Sequence, residues 1–345
     1  MRIHLGHHFY GAGNLGDDFM VAGFLAAMRR LSPRATLTCC VPFALEPLRR
    51  RFCEIEWLPY DDAHRERCIT SCDVWLGLGG SPFQSAQSRW FVDHLVREAA
   101  LCAKAGKPMF FLGVGVQTAA ELALADVRHL CAHAAGIWTR DPASAKFLAA
   151  LPVPPARLES AADLAHVFFR DVPPPAAAAG RLTVVANFDY AAWAGQAEFL
   201  RAVNALPATE RVWLAQESRE LPGAERALHA ALPDAERERW RLVIPDYPGA
   251  PLNEAVLRWP SGEWLVTSRY HAALAGAWAH SKIVVISTNE KLRAAARELS
   301  APLLSPSANQ ATVARAFEAA TPAHPPLASA DLAFAACEDF VRSAL

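Results

Sequence analysis

An arginine and a histidine separated by one residue form the pair in this sequence whose chemistry is easiest to interpret. Arg269 and His271 follow an apolar run, Trp264–Thr267, that predicts a β-strand, and they open an alanine-rich stretch, His271–Ala279, that predicts a helix. The carboxyl end of a strand and the amino end of a helix are both places where proteins bind anions, and a histidine there can transfer a proton near neutral pH. The alternative for His271 is a surface or helix-capping role.

Two further cations follow predicted strands. Arg140 comes directly after one strand, where an arginine either pairs with an acid such as Asp141 or binds an anionic ligand. Lys291 follows a later strand, and its alternative role is that of a solvated lysine paired with Glu290. The sequence leaves both choices open.

A glycine-rich turn follows the first predicted strand. Residues 11–18 read GAGNLGDD, which contains the GxGxxG pattern that lets backbone N–H groups approach an anion, so Gly13 and Asn14 are candidate ligand-binding residues. Dinucleotide-binding proteins also carry an acid at the end of the second strand to bind a ribose hydroxyl, whereas residues 38–42 read TCCVP. NAD binding is therefore disfavoured.

Two carboxylates, Asp17 and Asp18, lie in the first turn of the helix that follows this loop. There they compensate the positive end of the helix dipole. The alternative for Asp17 is that it is an N-cap and has no other role. Because both would repel a phosphate, their functional interpretation is a hydrogen bond to a sugar hydroxyl or a proton relay, with Asp17 as the second catalytic candidate after His271.

Two more glycine turns end central strands. Gly79, Gly80 and Ser81 belong to the run LGLGGS, where the glycines leave room for close approach and the serine can hydrogen-bond a polar ligand. The run GVGVQ, which ends at Gln117, repeats this design one strand and helix later. A tight strand-to-helix turn without a ligand is the alternative.

Short apolar runs alternate with helical patterns along the chain, which predicts βαβ units and parallel sheets. The predicted fold class is α/β, with two Rossmann-like domains facing each other across a cleft where ligands collect at the strand ends. The predicted boundaries are residues 1–172 for the N-terminal domain, 173–180 for a proline-rich linker, 181–326 for the C-terminal domain and 327–345 for a terminal helix. The predicted strands are Arg2–Phe9, Thr36–Val41, Val74–Leu78, Met109–Val114, Gly136–Thr139, Leu182–Ala186, Arg211–Ala215, Leu242–Pro245, Trp264–Thr267 and Ile283–Ser287.

Composition and charge exclude several classes of protein, such as disordered and nucleic-acid-binding proteins. A chain of 345 residues with 52% hydrophobic and 20% charged residues can bury two cores and is not disordered. The 34 basic and 35 acidic residues are mixed along the chain, so no field of one sign attracts nucleic acid. The sequence shows no signal peptide, no transmembrane run and no zinc or disulfide pattern among its 8 cysteines, so we expect a soluble cytoplasmic protein without a metal site.

Taken together, the motifs resemble the polysaccharide pyruvyltransferases. The resemblance covers nearly the whole chain, in order and spacing, and rests on GAGNLGDD, LGLGGS, GVGVQ, TRD, SRYH and NEK at residues 11–18, 76–81, 113–117, 139–141, 268–271 and 289–291. It implies a fold similar to that of the B-type glycosyltransferases and the transfer of a pyruvyl group from phosphoenolpyruvate to a sugar of a cell-surface polysaccharide or exopolysaccharide, as a ketal. Two departures are the run GLGG, where many relatives have three consecutive glycines, and the absence of a proline after Asp163.

The resemblance also implies roles. Arg140, Arg269 and Lys291 would hold the phosphate and carboxylate of phosphoenolpyruvate, which is the donor substrate and takes the place of any cofactor. His271 would be the acid/base residue, and the carboxylates of the first glycine turn would orient the acceptor.

The acceptor is expected to be a sugar or a lipid-linked saccharide, and a lipid-linked one would require a peripheral membrane contact. Two alternatives stay open. One is a glycosyltransferase that uses a nucleotide sugar, and the other is a non-catalytic scaffold that binds a sugar phosphate or a partner enzyme.

Overall fold

The computed structural model describes residues 1–83, 89–116, 120, 124–152, 155–187, 196–221, 223–245, 251–287, 289–305 and 308–345. The chain divides into two compact units. Unit 1 contains Met1–Ala12, Asp17–Phe168 and Leu327–Leu345, and unit 2 contains Gly13–Gly16 and Phe169–Pro326.

Unit 1 contains a 7-stranded sheet in which all neighbouring strands run parallel. Its strands are β1 (Arg2–Leu5), β2 (Thr36–Val41), β3 (Ile55–Pro59), β4 (Val74–Leu78), β5 (Met109–Val114), β6 (Ala134–Thr139) and β7 (Leu158–Ser160). They are ordered β3-β2-β1-β4-β5-β6-β7. The central strands β4 and β5 are buried along their whole length and consist of apolar residues and glycine, as expected for a parallel sheet with both faces covered.

Unit 2 contains a 6-stranded parallel sheet. Its strands are β8 (Ala178–Val185), β9 (Glu210–Leu214), β10 (Arg241–Val243), β11 (Gly262–Thr267), β12 (Lys282–Ile286) and β13 (Leu303–Leu304). The order β10-β9-β8-β11-β12-β13 repeats the order of the first six strands of unit 1, which is that of a doubly wound nucleotide-binding fold. The predicted α/β class with two Rossmann-like domains is confirmed.

Helices connect the strands of both sheets. Those of the described residues are α1 (Leu15–Leu31), α2 (Leu45–Arg51), α3 (Asp62–Ser71), α4 (Trp90–Ala105), α5 (Ala125–His133), α6 (Pro142–Ala149), α7 (Ala165–Asp171), α8 (Gln196–Asn204), α9 (Glu225–Ala230), α10 (Asp234–Arg237), α11 (Leu252–Leu257), α12 (Tyr270–Trp278), α13 (Glu290–Glu298), α14 (Gln310–Ala319) and α15 (Leu327–Ser343). None of these helices combines the length and the apolar character needed to cross a bilayer.

The C-terminal helix α15 packs on the sheet of unit 1. The ring of Phe340 lies 5.6 Å from that of Phe110 on β5, measured between centroids, and 6.1 Å from that of Trp138 on β6. Asp339 accepts a hydrogen bond from the indole N–H of Trp138 (2.9 Å) and forms an ion pair with Arg157 (2.5 Å). The helix thus supplies both apolar and charged contacts to unit 1.

Some element boundaries differ from the predicted ones for local reasons. The first strand ends at Leu5 and not at Phe9, because residues 8–11 form a turn in which the backbone N–H of Ala12 donates to the carbonyl oxygen of Phe9 (3.0 Å). Strand β8 begins at Ala178, which pairs with Gly262, so the last residues of the region predicted as a linker form strand. The short strands β3, β7 and β13 were not predicted.

Candidate functional site

The turn that follows β11 is held in place by its own hydroxyl groups. The backbone N–H of Arg269 donates to Oγ1 of Thr267 (2.8 Å). Oγ of Ser268 donates to Oδ1 of Asn187 (3.0 Å) and accepts the backbone N–H of the same asparagine (3.1 Å). These bonds place Arg269 at the N-cap position of α12 in unit 2.

Arg269 is bound by a buried glutamate, Glu225, the first residue of α9. Its Nε and Nη2 atoms donate to the two carboxylate oxygens at 2.7 and 3.1 Å, which is the two-pronged geometry that arginine forms with carboxylates. Glu225 has no exposed side-chain surface, and the side chain of Arg269 is 15% exposed. The glutamate therefore fixes the plane of the guanidinium and offsets much of its charge.

His271 and Lys291 both lie next to one tyrosine, Tyr270, in unit 2. The rings of His271 and Tyr270 are 5.2 Å apart and nearly perpendicular, and Nζ of Lys291 lies 5.3 Å from the centre of the Tyr270 ring, within cation–π range. His271 is 5% exposed. The structure thus brings together Arg269, His271 and Lys291, which the sequence placed at two successive strand ends.

The carboxylate of Glu290, the alternative partner considered for Lys291, is held by two arginines. It accepts hydrogen bonds from Arg293 and Arg297, both at 2.7 Å. These pairs lie along α13 on its exposed side.

The first glycine loop belongs to unit 2 and contacts the segment after β9. Oδ1 of Asn14 accepts hydrogen bonds from the backbone N–H of Gly16 (3.0 Å) and from Nε2 of Gln216 (2.9 Å). The carbonyl oxygen of Gly13 accepts the backbone N–H of Ser218 (2.8 Å), and a Cβ on Gly13, whose φ is +115°, would lie 2.6 Å from Oγ of that serine. Gly13 and Asn14, two of the predicted ligand-binding residues, thus bind protein groups of the segment after β9.

Gly16 determines where the imidazole of His271 can lie. A Cβ on Gly16 would be 2.3 Å from Nδ1 of His271 and 2.9 Å from Nε2 of Gln216. We expect Gly16→Ala to displace the imidazole and to lower the unfolding free energy by about 1–3 kcal/mol, as overpacking does elsewhere. Urea denaturation measures the second effect, and the imidazole resonances of His271, assigned with a His271→Ala variant, report the first.

Gly106→Ala is the matched control for this change. Gly106 is the C-cap of α4, with φ of +65°, and a Cβ there would have no neighbour within 4 Å. The control should lose stability through backbone strain alone and leave the His271 resonances in place. Unchanged His271 resonances in Gly16→Ala would contradict the assigned geometry.

In unit 1, the ends of β4, β5 and β6 bring three predicted motifs together. Nη2 of Arg140 donates to Oγ of Ser81 at 2.9 Å. The guanidinium packs over Gly115, where a Cβ would lie 2.5 Å from its Nε, and the N–H of Gly115 donates to the carbonyl oxygen of Gly80 at 2.9 Å. The arginine and the two glycine turns therefore form one cluster.

Two acids lie near Arg140. Oδ2 of Asp141 is 3.8 Å from its Nε, and Oδ2 of Asp163 is 3.9 Å from its Nη1. Asp141 also caps α6 by accepting the backbone N–H of Ser144 (2.7 Å), whereas Asp163 is fully buried. The ion-pair role of Arg140 is thus present in the structure, and its ligand-binding role stays a prediction.

The turn at Gly79 and Gly80 needs glycine for conformation and for space. Their φ values are +65° and +74°, in the left-handed region that favours glycine. A Cβ on Gly79 would lie 2.4 Å from the sulfur of Met20, which accepts the backbone N–H of Gly80 at 3.2 Å. The tight-turn alternative therefore accounts for both glycines without a ligand.

The two carboxylates of α1 have different surroundings in unit 1. Asp18 is fully buried, and its Oδ2 lies 2.5 Å from Nη1 of Arg51 on α2, whose side chain is also buried. Asp17 is half-buried in the first turn. The ion pair gives Asp18 a structural role whatever else it does. Gln117, the remaining predicted site residue, lies outside the described residues.

Comparison with known proteins places the chain in a family. The family model for polysaccharide pyruvyl transferase matches residues 14–288. The chain belongs to the polysaccharide pyruvyl transferase family. No curated protein sequence gives a significant match.

Solved structures confirm the fold of this pyruvyl transferase family member. UDP-GlcNAc 2-epimerase from Methanocaldococcus jannaschii is similar with a TM-score of 0.59 and 9% identity, over 99% of this chain and 98% of that one. HepE from Anabaena in complex with UDP-glucose gives 0.60 and 11%, over 98% and 95%. Sucrose-phosphate synthase from Thermosynechococcus elongatus gives 0.54 and 8%, over 99% and 94%. At these identities the likeness concerns the fold, which agrees with the predicted similarity to B-type glycosyltransferases.

Sequence reasoning missed the acid that orients the site arginine of this pyruvyl transferase family member. Glu225 is separated from Arg269 by 44 positions, and a pairing over that distance leaves no local pattern. Gln216, which follows β9 and donates a hydrogen bond to Asn14, is 202 positions away from it and was missed for the same reason. The available signal was only general, since polar residues directly after a parallel strand lie at the edge of the sheet where ligands bind.

Proposed function

We propose that this pyruvyl transferase family member transfers the pyruvyl group of phosphoenolpyruvate to two hydroxyl groups of one sugar, forming a ketal on a cell-surface polysaccharide or its precursor. One observation carries the proposal. Within unit 2, His271 and Lys291 both lie next to Tyr270, which follows Arg269 in the chain, so that two cations and a proton-transfer group share the strand ends.

The charges of the donor match these residues. Phosphoenolpyruvate carries about three negative charges near neutrality on a phosphate and a carboxylate, for which arginine forks and a lysine ammonium are suitable partners. Arg269 is already oriented by Glu225, and because a guanidinium has five N–H donors, two bonds to the glutamate do not exhaust it. The glutamate thus lowers the cost of holding the guanidinium in one orientation when the donor binds.

The reaction requires proton movements that a histidine can supply. His271 would donate a proton to the methylene carbon of phosphoenolpyruvate, which leaves an oxocarbenium-like centre at C2. One sugar hydroxyl then attacks C2 and releases its proton. A second hydroxyl attacks the same carbon and releases its own proton, and phosphate leaves with the electron pair of the C–O bond. One proton enters at carbon and two leave from oxygen, so the group that donates the first can accept one of the others.

Residues of unit 1 have proposed roles in substrate binding as well. Asp17 would hydrogen-bond or deprotonate a sugar hydroxyl, while Arg140, Ser81 and Gln117 would bind polar groups of the substrates. We place the reaction in the cytoplasm, since all eight cysteines are free thiols, which is typical of proteins in a reducing compartment.

Isothermal titration with phosphoenolpyruvate tests the donor. We expect saturable binding by the wild-type protein and a loss of affinity of about 10- to 100-fold in both Arg269→Ala and Lys291→Ala, because each removes a hydrogen bond to a charged group. Arg293→Ala is the matched control. Arg293 is a cation on α13, the helix that carries Lys291, but it pairs with Glu290.

UDP, GDP and NAD are titrated in parallel. Binding of UDP or GDP without binding of phosphoenolpyruvate would replace pyruvyl transfer by glycosyl transfer from a nucleotide sugar. Binding of phosphoenolpyruvate without phosphate release in the presence of any acceptor would favour the non-catalytic scaffold.

A further inference from the structure

Five aromatic rings gather at the carboxyl ends of β1, β3 and β4 in unit 1, apart from the site residues named so far. They belong to His8, Tyr60, Trp90, Phe91 and His94, and we call this group the aromatic patch. His8 follows β1, Tyr60 directly follows β3, and the others come from the first turns of α4. Parallel strands end at the same edge of the sheet, which is where folds of this class bind ligands.

His8 lies at the centre of the patch. Its ring centroid is 4.8 Å from that of Tyr60, in a stacked arrangement, and 4.6 and 4.1 Å from those of Trp90 and His94, which it meets nearly edge-on. The four rings therefore form one continuous cluster, of which Trp90 is the exposed member.

A chain of hydrogen bonds fixes the protonation of His94. Its Nε2 lies 2.7 Å from the carbonyl oxygen of Gly6 and must donate to it. In the neutral ring Nδ1 is then an acceptor, and it lies 2.8 Å from the hydroxyl of Tyr60, which therefore donates. Burial lowers the pKa of His94 to about 4, so this neutral tautomer holds across the physiological range.

His8 is also neutral and retains hydrogen-bonding capacity. The residue is 6% exposed, and its Nδ1 has no hydrogen-bond partner among the described residues. Burial and the neighbouring His94 lower its pKa to about 2. Nδ1 has almost no exposed surface, so a ligand on the patch would bind the other ring nitrogen, Nε2.

Trp90 gives the patch an exposed apolar face. It is 52% exposed, whereas Trp57, Trp75 and Trp138 in the same unit are at most 1% exposed. An exposed indole offers a flat apolar face beside polar rings, which is a surface on which a ligand with an apolar face can stack.

Two arginines lie near the patch, Arg65 and Arg97. Arg65, whose guanidinium lies 5.0 Å from the Tyr60 ring centre, forms hydrogen bonds of 2.8 and 2.6 Å to Glu98, which is itself buried. Arg65 is therefore neutralised, and Arg97, whose charge also acts on His8 and Tyr60, is a second cation near the patch. A ligand with one apolar face and several hydroxyl groups fits this combination, because arginine N–H groups donate to hydroxyl oxygens as well as to anions.

The patch continues to the glycine turn of the candidate site. The ring of Phe91 lies 5.1 Å from that of Phe9, and Cζ of Phe9 is 3.2 Å from the position a Cβ would take on Gly80. Ser81, the next residue, binds Arg140. A ligand on Trp90 would thus lie along the same edge of unit 1 as these residues.

We propose that the aromatic patch is an acceptor subsite that binds a pyranose ring, with the C–H face of the sugar on Trp90 and sugar hydroxyls hydrogen-bonded to His8 and Tyr60. The inference rests on the proposed function, to which it adds the position of the acceptor sugar. A pyranose suits the patch because its faces present C–H groups and its rim presents hydroxyls, which matches an exposed indole bordered by neutral polar rings.

Ligand-observed NMR with methyl glycosides tests the subsite without turnover. The probes are the methyl glycosides of glucose, galactose, mannose and N-acetylglucosamine. We expect saturation transfer to at least one of them from the wild-type protein and a loss of affinity of about 10-fold in Trp90→Ala, because the stacking surface is removed. Tyr60→Phe, which keeps the ring, should lose less.

Leu332→Ala is the matched control, since Leu332 is also 52% exposed and lies on α15 of the same unit. It should bind the glycosides as the wild type does. Equal affinities in Trp90→Ala and the wild type, or no glycoside binding by the wild type, would overturn the subsite.

Titration of the same variants with phosphoenolpyruvate separates the two proposals. Donor binding retained in Trp90→Ala together with lost glycoside binding supports both. Donor binding with Trp90-independent glycoside binding removes the subsite alone, and Trp90-dependent glycoside binding without donor binding removes the donor assignment alone.

Discussion

Replacing His271 with alanine should lower kcat for pyruvyl transfer by about 10²–10⁴-fold, the usual contribution of a general acid or base. The imidazole lies beside Tyr270, two positions after Arg269, so its removal leaves the cations of the site in place. Affinity for phosphoenolpyruvate should change little, because the arginine and the lysine carry the charge. Phosphate release from phosphoenolpyruvate in the presence of an acceptor measures the rate, and titration calorimetry measures donor affinity.

His129→Ala provides the control for this experiment, because His129 is an exposed histidine on α5 of unit 1. Free imidazole added to His271→Ala should restore part of the lost rate, since the deletion leaves a space of its size. A His271→Ala protein that transfers at the wild-type rate would remove the histidine from the mechanism.

Asp18→Asn should lower the free energy of unfolding by about 3–5 kcal/mol, the usual cost of removing one partner of a buried ion pair. The substitution leaves the Arg51 guanidinium buried beside a neutral amide, and both side chains are almost completely shielded from water. Urea denaturation measures the loss.

Asp17→Asn is the matched control, because Asp17 lies in the same turn but is half-buried, and removing a partly exposed charge should cost less than removing one partner of a buried ion pair. Replacing both partners, Asp18→Leu with Arg51→Met, should recover much of the stability, since no charge is left buried. If Asp18→Asn unfolds like the wild type but loses glycoside binding, its main role is to bind substrate.

The strands and the site residues that could be predicted from the sequence are those that produce a pattern within a short segment. The apolar runs of β4, β5 and β11 and the polar residues after them identify strand ends in a parallel sheet. Arg269 and Lys291 could be placed near each other because successive strands of such a fold are usually neighbours. The fold class followed from the same alternation.

Pairings between distant segments could not be predicted. Nothing near Arg269 in the sequence identifies Glu225 as its partner, and nothing near Tyr60 indicates that its hydroxyl binds His94. The edge strands β3 and β7 were missed because their exposed residues interrupt the apolar pattern, as in the mixed burial of Ile55–Pro59. Such contacts depend on the assembled sheet and not on any single segment.

The two units differ in when they can be completed during translation. Unit 2 has received all its residues once Pro326 has been added, because its N-terminal piece, Gly13–Gly16, has been made long before. Unit 1 still lacks α15 at that point, and with it the Phe340 ring that covers Phe110 and the Asp339 carboxylate that binds Trp138. Most of unit 1 is therefore synthesised before most of unit 2, yet unit 1 completes its core later. Until α15 packs on the sheet, β5 and β6 expose apolar surface, and such surface promotes aggregation.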